Sequence, residues 1–433
     1  MTEQTPGSAT PAWTRDQAAT ITRRDDATAP IIYPPASTTD SENHIWDTWL
    51  LRERDGSIAT PGGYRVIFCL SASADLLPGK RHDVATIRYY YSKDGEQWNR
   101  GGVAVDPDEA FGSRQWAGSA LLDDDGTCYL YYTAAGESGE DELTYTQRLA
   151  CASGGTVDTS GQGLSLQGPW EHEILAEPDG DWYETEDQSR GMIYTFRDPW
   201  FFEDPADGET YLLFEANTPV PEGSDACGGD AAQQEFNGSI GIAHSPTGDP
   251  TDWNLQPPLL DAVGVNQELE RPHIAVDDGQ YYLFTASHVH TFAPGLSGYD
   301  ALYGFVADEL RGDYQPLNGS GLVLTNPANA PFQAYSWMVY QHRDELLVTS
   351  FFNYYDFDRP SLDDVALLPE DEQLRRFGGT LAPTVRLGFE DAETWLRGVL
   401  AHGHLPTEDE ELPPVEFAER YGTREEDSGY SYR

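Results

Sequence analysis

A chain of 433 residues with 26 Lys+Arg against 74 Asp+Glu carries a formal charge of −48. That balance leaves no basic stripe to neutralise phosphates, which excludes a duplex nucleic-acid partner. No run of about 18 apolar residues occurs, so no membrane-spanning helix is expected, and the four cysteines, Cys69, Cys128, Cys151 and Cys227, lack the CxxC spacing of a zinc site or a disulfide framework.

The acidic residues are spread along the chain, and Lys80 and Lys93 are its only lysines. In dilute salt such a surface repels itself and destabilises the compact state. At molar salt the Debye length falls to about 3 Å and the repulsion is largely screened. The pattern fits a protein of a salt-loaded environment, that is, a halophile.

Met1 to about Pro30 is polar with little apolar periodicity, and is expected to form an arm or a disordered lead. Arg23-Arg24 within it is followed by acidic and polar residues rather than an apolar segment, so no signal peptide is read and a cytoplasmic location follows. From residue 31 a pattern recurs five times: an aromatic-rich run, a turn with Asp or Gly, and a second β-prone run. The first unit runs from Ile45 through Arg54-Asp55-Gly56 into Tyr64–Phe68. The second leaves Trp116, turns at Asp124-Asp125-Gly126 and returns as Tyr129–Tyr132. The third leaves Asp198, turns at Ala206-Asp207-Gly208 and returns as Tyr211–Phe214. The fourth leaves Arg271, turns at Asp277-Asp278-Gly279 and returns as Tyr281–Phe284. The fifth leaves Tyr335-Ser336-Trp337, turns at His342-Arg343-Asp344 and returns as Leu346–Val348.

Asp-Gly between β-prone runs signals a hairpin, because Gly readily takes the positive φ the turn needs. Units roughly 65–82 residues apart leave room for outer strands and loops. An all-β, five-bladed propeller over 31–422 with a central funnel follows as the leading architecture, against an ordinary two-sheet β protein as the alternative. Cys69 and Cys128 fall in strand-like runs and read as core residues. Asp391–Leu396 is the best short helix candidate, and 423–433 reads as a second polar tail.

Three acidic motifs stand at the starts of equivalent strands: Trp46-Asp47-Thr48-Trp49, Arg197-Asp198-Pro199 and Glu268-Leu269-Glu270-Arg271-Pro272. In a symmetric fold such carboxylates converge on one mouth, and converging carboxylates are what glycosyl transfer requires. Asp47 lies between two indoles, which stack on sugar rings and exclude water; core aromatics with a turn-capping Asp would look the same. Arg197 beside Asp198 keeps a carboxylate ionised, or forms a purely structural ion pair. Glu268 and Glu270 share a strand face, which should push their pKa values apart and leave one able to act as an acid. Strict alternation turns Arg271 to the other side unless a bulge intervenes.

Together these motifs resemble glycoside hydrolase family 68, the levansucrases and inulosucrases that transfer fructose from sucrose. The resemblance covers about Ile45 to Leu387. It implies Asp47 as nucleophile, Asp198 as transition-state stabiliser and Glu270, the second glutamate of Glu-x-Glu-Arg, as general acid/base. Trp46, Trp116, Arg197, Glu268, Arg271 and Tyr335 would complete the donor pocket. Supporting matches are Gln115–Ser119, Tyr303-Gly304-Phe305, Tyr314–Leu317 and Tyr335-Ser336. The family fold is a five-bladed propeller, its partners are sucrose and fructan acceptors, and it needs no cofactor or catalytic metal. By family habit the protein would be extracellular.

Three positions bear on how far the resemblance carries. Ala117 stands where the family commonly has a Ser close to the nucleophile, so a hydrogen bond from that position to Asp47 is not expected. Gln267 replaces the Asp that helps many Gram-positive members bind calcium, so no equivalent calcium site is expected. Eighteen positions after Glu270, where members carry Arg or His on the acceptor side, this chain has His288. An invertase-like hydrolase and a non-catalytic sugar-binding propeller are the rival functions. The choice between β-(2→1) and β-(2→6) linkage stays open, because both products share one fructosyl-enzyme.

Overall fold

The computed structural model describes residues 10–407 together with 410 and 412. The expected hairpins are the inner strands of five blades. The innermost strands are Asn43–Arg52, Arg114–Leu122, Phe196–Glu203, Glu270–Asp277 and Ala334–His342, and each pairs antiparallel with the strand that follows it. The Asp-Gly turns behave as their residues dictate: Gly126, Gly208 and Gly279 all have positive φ, at 86°, 73° and 80°. Asp278 joins Gly279 in the left-handed region at 47°, giving the two consecutive positive φ values of a tight two-residue hairpin.

The blades are stitched to each other near the axis. The first and second share a short parallel pairing, Leu51 with Ala120 and Arg52 with Leu121. Ser119 Oγ accepts from the Phe201 amide at 3.1 Å, joining the second to the third. His273 Nε2 accepts from the Val339 amide at 2.9 Å between the fourth and fifth. The ring closes where the Tyr340 hydroxyl accepts from the Leu50 amide at 3.0 Å. Alternating apolar residues of the inner strands fill the spaces between blades, Trp49, Phe68, Leu130, Phe284 and Leu346 all being fully buried there. Cys69, Cys128 and Cys151 are buried free thiols among them.

Two expectations need correction. Asp391–Leu396 is no helix: Asp391 turns with φ 51° and Glu393–His402 is the outer strand of the fifth blade. Within that strand the adjacent Trp395 and Leu396 point to opposite faces, as strand alternation requires. The polar N-terminal arm is not loose over its described part. Trp13 is 1% exposed, packs edge-on to Phe292 and Phe305, and donates its indole N–H to the Ser320 carbonyl at 3.2 Å. Ala12 bridges Asp261 and Thr28 bridges Thr325, so the arm runs across the third and fourth blades. One indole and a few small apolar residues dock a segment that shows no periodicity. The tail 423–433 lies outside the described residues. Among those described, no helix is long and apolar enough to cross a membrane.

Candidate active site

Every innermost strand carries the same irregularity at the same level. The register slips by one residue between Trp46 and Trp49, Trp116 and Gly118, Arg197 and Trp200, Glu270 and His273, and Tyr335 and Met338. A bulge of this kind bends the strand and re-aims a side chain. In four of the five, the residue at the bend is non-glycine with positive φ: Asp47 at 46°, Asp198 at 61°, Arg271 at 51° and Ser336 at 60°. Asp tolerates this region, whereas Arg and Ser hold it at a cost of about 1–3 kcal/mol each, a strain that persists where the surroundings over-determine the geometry.

The bends aim these four side chains at one another. The Arg271 guanidinium donates to the Thr48 carbonyl at 2.7 Å on the first blade and to Ser336 Oγ at 2.5 Å on the fifth. Ser336 in turn hydrogen-bonds the Asp47 carboxylate. The Arg271 amide donates to Asp198 Oδ2 at 3.0 Å, and the Asp198 amide to Thr133 Oγ1 at 2.9 Å. The bulge is therefore what brings Arg271 to the side of the acids, against strict alternation. The hydrogen bond that Ala117 cannot make to Asp47 is supplied from Ser336 instead.

A second guanidinium organises the other acids. Arg197 donates to Glu215 from Nε at 2.8 Å, and from Nη2 to Glu268 and Glu270 at 3.0 Å each. Burial opposes its charge, yet Glu215, Glu268, Glu270 and Asp198 outweigh that and hold it firmly cationic. Burial raises Asp47, with the Glu270 charge adding and Arg271, Ser336 and Arg81 opposing. Asp198 is raised by burial too, against the pull of Arg197 and Arg271. Glu215, with no exposed surface, is pushed well up by burial despite its ion pair.

Glu270 faces a third set of partners. The Tyr335 hydroxyl donates to Glu270 Oε2, and the His288 ring stacks on Tyr335 with centroids 3.8 Å apart. His288 Nε2 lies 3.9 Å from Glu270 Oε2, and its Nδ1 meets Asp300 Oδ2 at 2.9 Å. Burial would lower this imidazole, but Asp300, Glu270 and Glu268 overcome it and bring its pKa to about 9, so His288 is a cation at neutral pH. Beyond Asp300 opens a cavity of about 250 Å³, lined among others by Arg23, Tyr299, Phe332 and Arg359. On the opposite flank, Trp46 and Trp116 both meet the His82 ring edge-on, at 5.4 and 6.3 Å between centroids. The Trp116 indole donates to the His82 carbonyl at 3.0 Å.

The family model described as levansucrase/invertase, glycoside hydrolase family 68, matches residues 1–406. A levansucrase of Rahnella aquatilis is 37% identical over 91% of this chain and 96% of its own length. An extracellular sucrase of Zymomonas mobilis is 35% identical over 91% of this chain and 94% of its own. Among solved structures, an inulosucrase from Halalkalicoccus jeotgali bound to kestose superposes with a TM-score of 0.92 at 65% identity, covering 94% of this chain and 100% of that one. The chain belongs to glycoside hydrolase family 68. With that family it is a sucrose-dependent fructosyltransferase of the retaining type, and its fold is the family's five-bladed propeller.

Of the ten positions singled out in the sequence, the contacts above bring together Asp47, Asp198, Glu270, Arg197, Glu268, Arg271, His288 and Tyr335, with Trp46 and Trp116 both against the His82 ring. Of the supporting matches, Tyr303 and Tyr314 are core residues, fully or almost fully buried. Four residues were missed. Glu215 stands between Phe214 and Ala216 in an apolar strand, and a lone acid in such a run was the signal. Arg81 and His82 reach the site from a short 3₁₀ segment, Pro78–Val84. In a chain with so few cations, that basic cluster was the clue. Asp300 carried no sequence signal.

Proposed function

We propose that Asp47 attacks the anomeric carbon of the fructosyl unit of sucrose while Glu270 protonates the departing glucose oxygen. A second sugar, or water, then takes the fructosyl group as Glu270 acts as base. The reading rests on one observation: Asp47, Asp198 and Glu270 come from three blades onto two buried guanidiniums. The Arg271 charge and the Ser336 hydrogen bond both oppose the burial that raises Asp47, favouring its carboxylate form. Arg197 likewise opposes the burial that raises Asp198, whose carboxyl faces the developing oxocarbenium ion. Trp46 and Trp116 wall the donor pocket, and Glu268 fixes Arg197.

The 65% identity to an inulosucrase supports β-(2→1) transfer, giving inulin-type products. Incubating the protein with sucrose in concentrated salt and assigning the linkages by NMR tests this. A product of β-(2→6) linkages would overturn the linkage and leave the donor chemistry standing. Free fructose equal to glucose throughout would favour the hydrolase reading. The Zymomonas relative, named an extracellular sucrase, supports action outside the cell, which assays of culture supernatant against washed cells would check.

His288 belongs to the acceptor side in this scheme. It lies between Glu270 and Asp300, and the cavity beyond Asp300 offers the growing chain a place to rest. His288→Ala removes interactions felt mainly by the incoming sugar. The expected result is substantial residual glucose release with a larger free-fructose fraction and shorter fructan. Simultaneous quantification of glucose, fructose and oligosaccharides reads it, and unchanged ratios and lengths would make His288 structural.

The charge of −48 supports a halophilic origin. Stability and activity should both rise with salt as screening relieves self-repulsion. Thermal melts and glucose release, followed from dilute to molar potassium chloride, test this, and a flat response in both rejects it.

A further inference from the structure

Past the outer strand of the fifth blade, the chain crosses back over the first. The Trp98 indole donates to the Gly403 carbonyl at 2.9 Å, the Leu405 amide to the Gly95 carbonyl at 2.9 Å, and Arg65 to the Pro406 carbonyl at 2.9 Å. At this crossing three side chains meet. Glu96 comes from the turn of the first blade, where the Asp94 carboxylate accepts its amide at 3.0 Å. His404 and Glu410 come from the crossing segment, with Glu410 Oε2 accepting from the Thr407 amide at 3.2 Å. One donor atom from each lies within 4.8 Å of the other two.

His404 is 7% exposed, and its Nε2 is buried with no hydrogen-bond partner. That nitrogen lies 3.1 Å from Glu410 Oε1 and 3.7 Å from Glu96 Oε1, yet hydrogen-bonds neither. An unsatisfied buried nitrogen is costly, and two carboxylates crowded against it repel one another. A cation between the three removes both penalties. Tetrahedral coordination with bonds of about 2.0–2.2 Å sets ligand atoms roughly 3.3–3.6 Å apart, and the two observed separations bracket that range. Calcium and magnesium take oxygen ligands, whereas an imidazole with two carboxylates suits zinc and its neighbours in the first transition row.

We propose that Glu96, His404 and Glu410 form a structural site for a zinc-class divalent cation, with water as fourth ligand, that clasps the end of the propeller's chain to its first blade. The site is separate from the fructosyl-transfer centre and takes no part in its chemistry.

The test is calorimetric titration of the chelator-treated full chain with Zn²⁺ and, in parallel, Mg²⁺ in the same concentrated salt, together with thermal melts. One saturable Zn²⁺ site is expected, with a raised melting temperature and no comparable response to Mg²⁺. His404→Ala and, separately, Glu96→Gln should each weaken Zn²⁺ binding about tenfold or more. Co²⁺ in place of Zn²⁺ should give the visible absorbance of a tetrahedral site, lost in both variants. Should His404→Ala not fold, the Glu96→Gln change, at an exposed position, carries the comparison. Absence of saturable Zn²⁺ binding, or binding of equal strength in wild type and variants, would overturn the proposal.

Discussion

Asp47→Asn and Glu270→Gln should each abolish nearly all glucose release from sucrose while the propeller stays folded. Positioned acid–base catalysis alone contributes roughly 10²–10⁴-fold, and losing the nucleophile should cost at least as much. The amide replacements preserve shape. A carboxamide in place of the Asp47 carboxylate would still accept from Ser336, and one in place of the Glu270 carboxylate would still meet Arg197 and the Tyr335 hydroxyl. Burial already raises Asp47, so removing its charge lifts a desolvation cost and the fold should not suffer. Initial rates of glucose release, with far-UV circular dichroism and a thermal melt on the same samples, decide the matter. Turnover near wild type in either folded variant would remove that residue from the chemistry.

Much of this site was legible because catalytic carboxylates in a propeller must stand at equivalent places on repeated strands. The Asp-Gly turns mark the repeats, and the aromatic-acidic motifs mark the strand starts. The bulges were what sequence could not show. Period-two alternation sends Arg271 away from Glu270, and only the extra residue between Glu270 and His273 turns it toward Asp198 and Ser336. The expectation about acid pairing also needed the fold. Reading Glu268 with Glu270 as a pair omitted Glu215, which is far away in sequence and reaches the same guanidinium from the neighbouring strand of the third blade. The docking of the arm was illegible for a different reason: Trp13 docks as a single anchor, and a single anchor leaves no periodic trace.

Arg197 is the position where a structural role and a catalytic one can be separated. Arg197→Met should lower stability by about 3–5 kcal/mol, because it leaves a buried carboxylate without its partner. Glu215 has no exposed surface and lies 2.8 Å from the lost guanidinium, so it takes most of that penalty. Its pKa is already raised in the folded protein and rises further without Arg197. A carboxyl raised on folding contributes stability below its unfolded value and loses it as pH climbs through the folded one. The deficit should therefore shrink on acidification and widen toward alkaline pH. Activity should fall by about 10²–10³-fold as Glu270 loses the contact that orients it and Asp198 the charge that opposes its burial. Arg197 lowers the pKa of Asp198, so its removal should move the acid limb of the kcat/KM profile to higher pH. The double variant Arg197→Met, Glu215→Leu discriminates between the roles. It removes the orphaned charge and should recover most of the melting temperature, yet it restores nothing that Arg197 does for Asp198 and Glu270. Recovery of turnover along with stability would show that Arg197 serves only to neutralise Glu215.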